Sequence, residues 1–293
     1  MLTSISAAGN IRSRQHAGKL VEDAELTAIE LRQHFLSQAN WVNPDKTVDR
    51  VIMGDPKKDI RRILVTWISS LQAIEIAIQR GFDMLITHEP TFWSHWDEEK
   101  VKEQTEAGRR KTRMARDAGL VIYRNHDVWD RMPNVGIPWA WAEFLGLGAK
   151  PACIFADGYQ HRYDIEPTTF QNFARRIAEK TAILGEPVIQ VVGEAEQVVS
   201  RVGIGTGCGC DPLLAQEAGC DVSIVCDDGA CYWGDIQRAI DSGHPIVRVN
   251  HSTSEEPGMA SMTSYLRRTF PQLTVEHLPC RAAYRLVLGG AGA

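Results

Sequence analysis

No run in this chain approaches the roughly 18 consecutive apolar residues that a membrane-spanning helix requires, so no membrane partner is expected. The first 20 residues are polar, carry Ser and Arg, and lack the apolar core of a secretory signal. Residues 1–21 are therefore expected to be a flexible extension, with organelle targeting as the minor alternative. Excess charge of one sign is missing too. A net charge of -5 gives no electrostatic case for nucleic acid or an anionic surface as partner. The seven cysteines, Cys153, Cys208, Cys210, Cys220, Cys226, Cys231 and Cys280, are odd in number and scattered. They do not form a disulfide framework; reduced thiols in a cytoplasmic setting fit better. Cys208-x-Cys210 with Cys226 and Cys231 also lacks the paired Cys-x2-Cys spacing of a zinc or cluster site. The glycine-rich run Gly205 to Gly209 has neither the Lys-Ser/Thr of a P-loop nor a full dinucleotide fingerprint, so it reads as a tight turn. Neither a short internal repeat nor a low-complexity tract is visible.

What remains is an ordinary globular composition, 44% hydrophobic and 24% charged, long enough at 293 residues for one large or two medium domains. Short apolar runs alternate with amphipathic stretches. Helical spacing covers Ala24 to Ser37, Leu71 to Arg80, the charged Asp97 to Arg116, the Trp-rich turn from Pro138 to Gly146, Phe170 to Leu184, Pro212 to Ala218 and Gly234 to Ile240. Strands are expected at Ile60 to Trp67, Met84 to Ile86, Leu120 to Tyr123, Val188 to Val192, Val198 to Gly203, Val222 to Val225 and Ile246 to Val249. This alternation predicts an α/β fold of mostly parallel or mixed sheets covered by helices. Pro151 marks the expected boundary between a first lobe over 22–150 and a second over 151–293.

Three of the expected strands run into clusters of metal-favouring side chains: His88-Glu89, His126 with Asp130, and His251 with Glu255. Ligands in open α/β sheets bind at the carboxyl ends of strands, so three such ends point to one assembled site between the lobes. Residues four apart share a face on a strand or a helical turn, which lets each His-x3-acid pair converge on one centre. Three imidazoles with three carboxylates suit a divalent Fe, Mn or Zn, and a bridging carboxylate can hold two such ions together. Taken singly, a His at a strand end is more often a capping or core residue, and the dipeptide His-Glu is weak. The coincidence of three clusters carries the reading.

The run Gly81 to Pro90, with Thr87-His88-Glu89-Pro90 at its end, resembles the His-His-Pro strand end of the Nif-three-like family, also called the type 2 GTP cyclohydrolase I family. His126 to Asp130, with Asn134-Val135-Gly136 and Glu143 to Leu147 after it, is similar to that family's His-Thr-Asn-Leu-Asp segment and its sequel. Val249-Asn250-His251 with Glu255 resembles its Gly-His-x3-Glu, and Gly54-Asp55-Pro56 and Val202-Gly203-Ile204 also fit. Order and spacing agree from about residue 25 to the C-terminus. The resemblance implies metal ligands at His88, His126, Asp130, His251 and Glu255, with the two acids serving both of two divalent ions. It also implies a two-lobed, toroid-forming fold assembled as a homo-oligomer, a hexamer or trimer of dimers.

Two segments depart from the family pattern. Glu89 stands where the second His is usual, as a ligand in its place or as a free general base. Within Asp228-Gly229-Ala230-Cys231-Tyr232-Trp233, Cys231 and Trp233 replace the family's Lys and His, which makes a softer, more aromatic pocket wall. The resemblance implies a dinuclear hydrolase that cleaves a C–N bond, in an amide or activated heterocycle, of a small planar substrate. A non-catalytic metal-binding or regulatory ring is the alternative. Proton-shuttle candidates are Glu89, Asp127, Glu256 and His95; Trp93, Trp96, Trp129 and Trp233 are candidates for stacking on a flat substrate, although core packing is the plainer role for each.

Overall fold

The computed structural model describes residues 26–287; the expected extension over 1–21 lies outside them. Helix α1 (Ala28–Ser37) starts later than its periodicity predicts because Thr27 and Glu30 form a reciprocal capping box at its N-terminus. Strands β1 (Arg50–Met53) and β2 (Arg62–Ile68) follow, then α2 (Leu71–Gln79) and β3 (Met84–Glu89). The predicted charged helix is broken in two, Glu99–Lys102 and α3 (Glu106–Asp117), because Thr105 caps α3 through the Gly108 amide. Strand β4 (Val121–Arg124) and helix α4 (Ile137–Leu145), ended by the left-handed Gly146, complete the first half.

The second half holds β5 (Cys153–Phe155), β6 (Gln160–Thr169), α5 (Phe170–Ile183), β7 (Gln190–Val192), β8 (Val198–Ile204), α6 (Pro212–Glu217), β9 (Val222–Cys226), α7 (Gln237–Ser242) and β10 (Ile246–Val249). The ten-residue β6 has no counterpart among the predicted strands: its charged and Pro-containing second half, Asp164 to Thr169, hides the alternation that usually announces a strand. Helix α8 (His251–Thr269) and strand β11 (Thr274–His277) close the described chain.

Two mixed sheets result. The six-stranded one runs β5-β6-β8-β9-β10-β7, with β8, β9 and β10 parallel. The five-stranded one runs β11-β2-β3-β4-β1, and its first four strands are parallel. A single cut at Pro151 therefore does not partition the sheets. Strand β11 pairs with β2, and α8 packs its Met259, Met262 and Leu266 beneath the five-stranded sheet, so the chain beyond Asn250 returns to the first half. Among the described residues no helix is long and apolar enough to cross a membrane.

Alternation within β2, β3 and β4 sets the layers. Ile63, Val65, Met84, Ile86, Val121 and Tyr123 face α1 and α8; Leu64, Leu85 and Ile122 face α2 and α3. His88 continues the Met84-Ile86 face, so its ring points to the side that α8 covers.

Candidate metal centre

Parallel register brings Trp67, at the end of β2, beside His88, since Thr66 pairs with Thr87 and Ile68 with Glu89. Asp49 organises the turn after β4: its buried carboxylate accepts from the amides of His126 (2.6 Å), Asp127 (2.8 Å) and Val128 (2.8 Å). Burial pushes the Asp49 carboxyl up to about 6 against those amide bonds. From the other sheet, α8 begins where β10 ends. Asp227 accepts the His251 amide at 2.6 Å, and the helix then puts His251 and Glu255, one turn apart, on a single face.

All six metal-favouring residues meet. His126 Nδ1 lies 3.2 Å and His88 Nε2 3.3 Å from the two oxygens of Asp130. His88 Nε2 is 3.4 Å from Glu255 Oε2, and His251 Nε2 is 3.1 Å from Glu255 Oε1 and 3.6 Å from Glu89 Oε1. The rings of His88 and His126 stack at 4.5 Å. Donor atoms of His88, His126 and Asp130, and of His88, Glu89 and Glu255, form two groups within 4.8 Å. The Nε2 atoms of His88 and His251 are buried and make no aligned hydrogen bond, although carboxylate oxygens stand close to both. They stand 3.1–3.4 Å from carboxylate oxygens without an aligned hydrogen bond. Buried imidazole nitrogens left unpartnered beside carboxylates suit a divalent cation, and the other His88 nitrogen is held by the Asn125 carbonyl, so this cluster fits a metal ion.

Electrostatics agree. Burial alone depresses an imidazole, yet Glu255 and Asp130 outweigh it and raise the pKa of His88. Desolvation opposes the cationic form of His126 as well, but Asp130 and Asp127 lift it to about 9, and Glu255 lifts His251 to about 11. Glu255 is held down at about 2, its burial overcome chiefly by His251 and His88 and aided by the indole of Trp67. The pocket is strongly attractive to positive charge.

The proton-shuttle candidates separate. Glu89 belongs to the cluster itself. Asp127 Oδ2 accepts from the Thr47 hydroxyl at 2.6 Å, and its Oδ1 lies 3.0 Å from His126 Nδ1 and holds that ring. The His95 ring stands edge-on to His126 at 6.1 Å, and burial lowers its pKa. Glu256 is not at the cluster. One residue further round α8 than Glu255, its carboxylate is 2.7 Å from His277 Nε2 and accepts the Cys280 amide, and it lines a separate cavity of about 690 Å³ with Phe144 and Arg268. Of the tryptophans, Trp129 is fully buried and donates to the Gly258 carbonyl, which makes it core; Trp93, Trp96 and Trp233 are exposed. Neither metal-compatible group among the described residues includes a cysteine.

Sequence reasoning overlooked Trp67, whose Nε1 donates to Glu255 Oε2 at 2.7 Å with its ring edge-on to His251. It passed over Arg124 and Asp49 too. The glycine-rich turn is tight as expected, but its place is a surprise: a Cβ on Gly207 would sit 2.8 Å from His251 Nε2 and 2.9 Å from Glu255 Oε1. Its φ of +53 favours glycine in any case. The one available signal was a polar-tipped Trp at the end of a strand adjacent to the His88 strand.

Known proteins share this architecture. The sequence profile of the Duf34/NIF3 (NGG1p interacting factor 3) family matches residues 44–283. A GTP cyclohydrolase 1 type 2 homolog of Deinococcus radiodurans is 27% identical over 235 residues, covering 78% of this chain and 83% of that protein. Among solved structures, a hypothetical protein of Staphylococcus aureus superposes with a TM-score of 0.74 at 18% identity, over 90% of this chain and 100% of its own. A Bacillus cereus protein related to NIF3 gives 0.72 at 14% identity, over 90% and 99%.

Proposed function

This chain belongs to the Duf34/NIF3 family, and from that premise we propose that it is a dinuclear metal-dependent hydrolase acting on a C–N bond of a small planar substrate. One observation carries the reading: side chains at the ends of both sheets bring the buried, unpartnered Nε2 atoms of His88 and His251 within 3.4 Å of the Asp130 and Glu255 carboxylates. His88, His126 and Asp130 would hold one divalent ion, Fe, Mn or Zn, and Glu89, His251 and Glu255 the other, with Asp130 and Glu255 placed between neighbouring donors. Divalent cations, when bound, polarise an electrophile and bring the pKa of water at the site toward neutrality.

The remaining work falls to the chain's own groups. Trp67 fixes the Glu255 carboxylate through its indole N–H, and Asp127 fixes the His126 ring, as supporting partners of ligands generally do. His95, at the rim and with a depressed pKa, is suited to take a proton as a neutral base. Trp93 and Trp96, on the loop after β3, and Trp233, on the turn after β9, offer exposed flat faces for a heterocycle. The name of the Deinococcus relative, a GTP cyclohydrolase 1 type 2 homolog, supports a ring-opening C–N hydrolysis. Homo-oligomeric assembly belongs to the same proposal.

Elemental analysis of the purified chain, followed by a screen of small amides and nitrogen heterocycles with Mn(II), Fe(II) and Zn(II), tests this reading. Two metal equivalents per chain and turnover abolished by chelation are expected. A metal-loaded chain inert toward every such substrate would favour the non-catalytic alternative, and a chain that binds no ion would end both.

A further inference from the structure

The two ends of the cluster are unlike. His88, His126 and Asp130 offer two imidazoles and one carboxylate. Glu89 and Glu255 group with His88 as well, and His251 Nε2 stands 3.6 Å from Glu89 and 3.1 Å from Glu255, so the end formed by Glu89, His251 and Glu255 offers one imidazole of its own and two carboxylates. Glu89 makes the difference, and its surroundings explain how it is held. Its Oε1 lies 3.6 Å from His251 Nε2, whereas its Oε2 lies 3.9 Å from Arg124 Nη2. Arg124 is itself buried and fixed, with Nε donating to the His88 carbonyl at 2.8 Å and Nη1 to the His95 carbonyl. A buried guanidinium is stabilised by nearby negative charge, here Glu89 and the buried Asp97, and a neutral imidazole at position 89 would remove the one of these that faces the cluster. Glu89 thus faces Arg124 across 3.9 Å with one oxygen and has the other on the His251 side of the cluster.

We propose that the two metal positions differ in preference and that Glu89, braced by Arg124, sets the difference. The position of His88, His126 and Asp130 fills first with an ion that favours imidazole, Zn(II) or Fe(II). The position of Glu89, His251 and Glu255 accepts a harder ion, Mn(II). Imidazole suits Zn and Fe, and carboxylate suits Mn, Mg and Ca. Zn(II) binds most nitrogen and oxygen sites more tightly than Mn(II), so the asymmetry appears as a ratio of affinities and not as exclusion of zinc. This inference rests on the metal-centre reading above and adds to it the unequal chemistry of its ends.

The test uses the full chain stripped by chelation, given one equivalent of Zn(II), and titrated with Mn(II), with bound metal measured by elemental analysis and Mn(II) by electron paramagnetic resonance. The expected product holds one Zn and one Mn and shows the six-line signal of an isolated Mn(II). Glu89→His should raise the Zn-over-Mn affinity ratio at the second position by about tenfold or more, and Arg124→Met should weaken Mn(II) there by about 10- to 100-fold. Should Arg124→Met fail to fold, Glu89→Gln, which keeps the shape and removes the charge, must show the same selective loss of Mn(II). An unchanged ratio in Glu89→His, or paired Mn–Mn signals in the one-zinc protein, overturns the asymmetry alone. Failure of the wild-type chain to bind either ion overturns the metal-centre reading and this inference together.

Discussion

His88 and His161 are both fully buried, one in each sheet, and their environments displace them in opposite directions. At the end of the five-stranded sheet, His88 has Asp130 and Glu255 within 3.4 Å, and its pKa rises despite burial. In the six-stranded sheet, His161 packs edge-on against Trp139 at 4.2 Å, and burial pushes it down to about 4. Burial by itself makes a neutral core histidine. A ring of carboxylates around a buried histidine makes a cation site. The same contrast runs through the two sheets: β3 and the turn after β4 supply His88, Glu89, His126 and Asp130, whereas the strand ends of the six-stranded sheet supply spacing, through Gly207, and launch α8 with its His251 and Glu255, anchored by Asp227.

The largest effect that would sharpen this contrast is expected at Glu255. Glu255→Ala should release at least one metal equivalent by elemental analysis, and it strands the Trp67 indole at a further cost of about 1–3 kcal/mol. Full metal retention would remove Glu255 from the centre. Next comes His161. Its folded pKa of about 4 lies below the ordinary 6.5, so protonation favours the unfolded chain. Stability should be complete above pH 6.5 and decline as pH falls toward 4, by up to roughly 3 kcal/mol. Denaturant unfolding at neutral and acid pH should show this slope, and His161→Leu should flatten it.

Gly207→Ala probes the spacing role with a smaller effect. The strained φ costs about 1–2 kcal/mol, and the methyl group must displace His251 or Glu255. Thermal melting and Zn(II) titration should both weaken; an unaltered affinity would show that the six-stranded sheet does not press on the ligands. The smallest effect belongs to Trp233, 81% exposed. Trp233→Ala should leave stability within about 0.5 kcal/mol and, in the hydrolase reading, raise KM for a flat substrate.

Much of this is legible in the sequence. Short continuous apolar runs at Met84 to Ile86 and Leu120 to Tyr123 marked buried strands, and the His and acid residues just beyond them were read as ligands because strand ends are where such sheets bind. Glu89 was legible as a departure, but Arg124, which explains it, was not, because it looks like any other charged strand residue until its burial is known. Glu256 misled because it is the immediate neighbour of Glu255. A single helical step turns it away from the cluster and toward His277.

Consecutive residues carry their own periodicity, and so this chain announced by itself its α/β alternation, its strand ends and its His-x3-acid pairs. Which surfaces meet is a different kind of fact. That α8 starts beside the six-stranded sheet and packs under the other, that β11 pairs with β2, and that Trp67 and Gly207 press on one carboxylate from opposite halves of the chain depend on contacts far apart in sequence. Local propensity does not encode such contacts; they are settled only when the apolar faces of both sheets and the long helix are buried together.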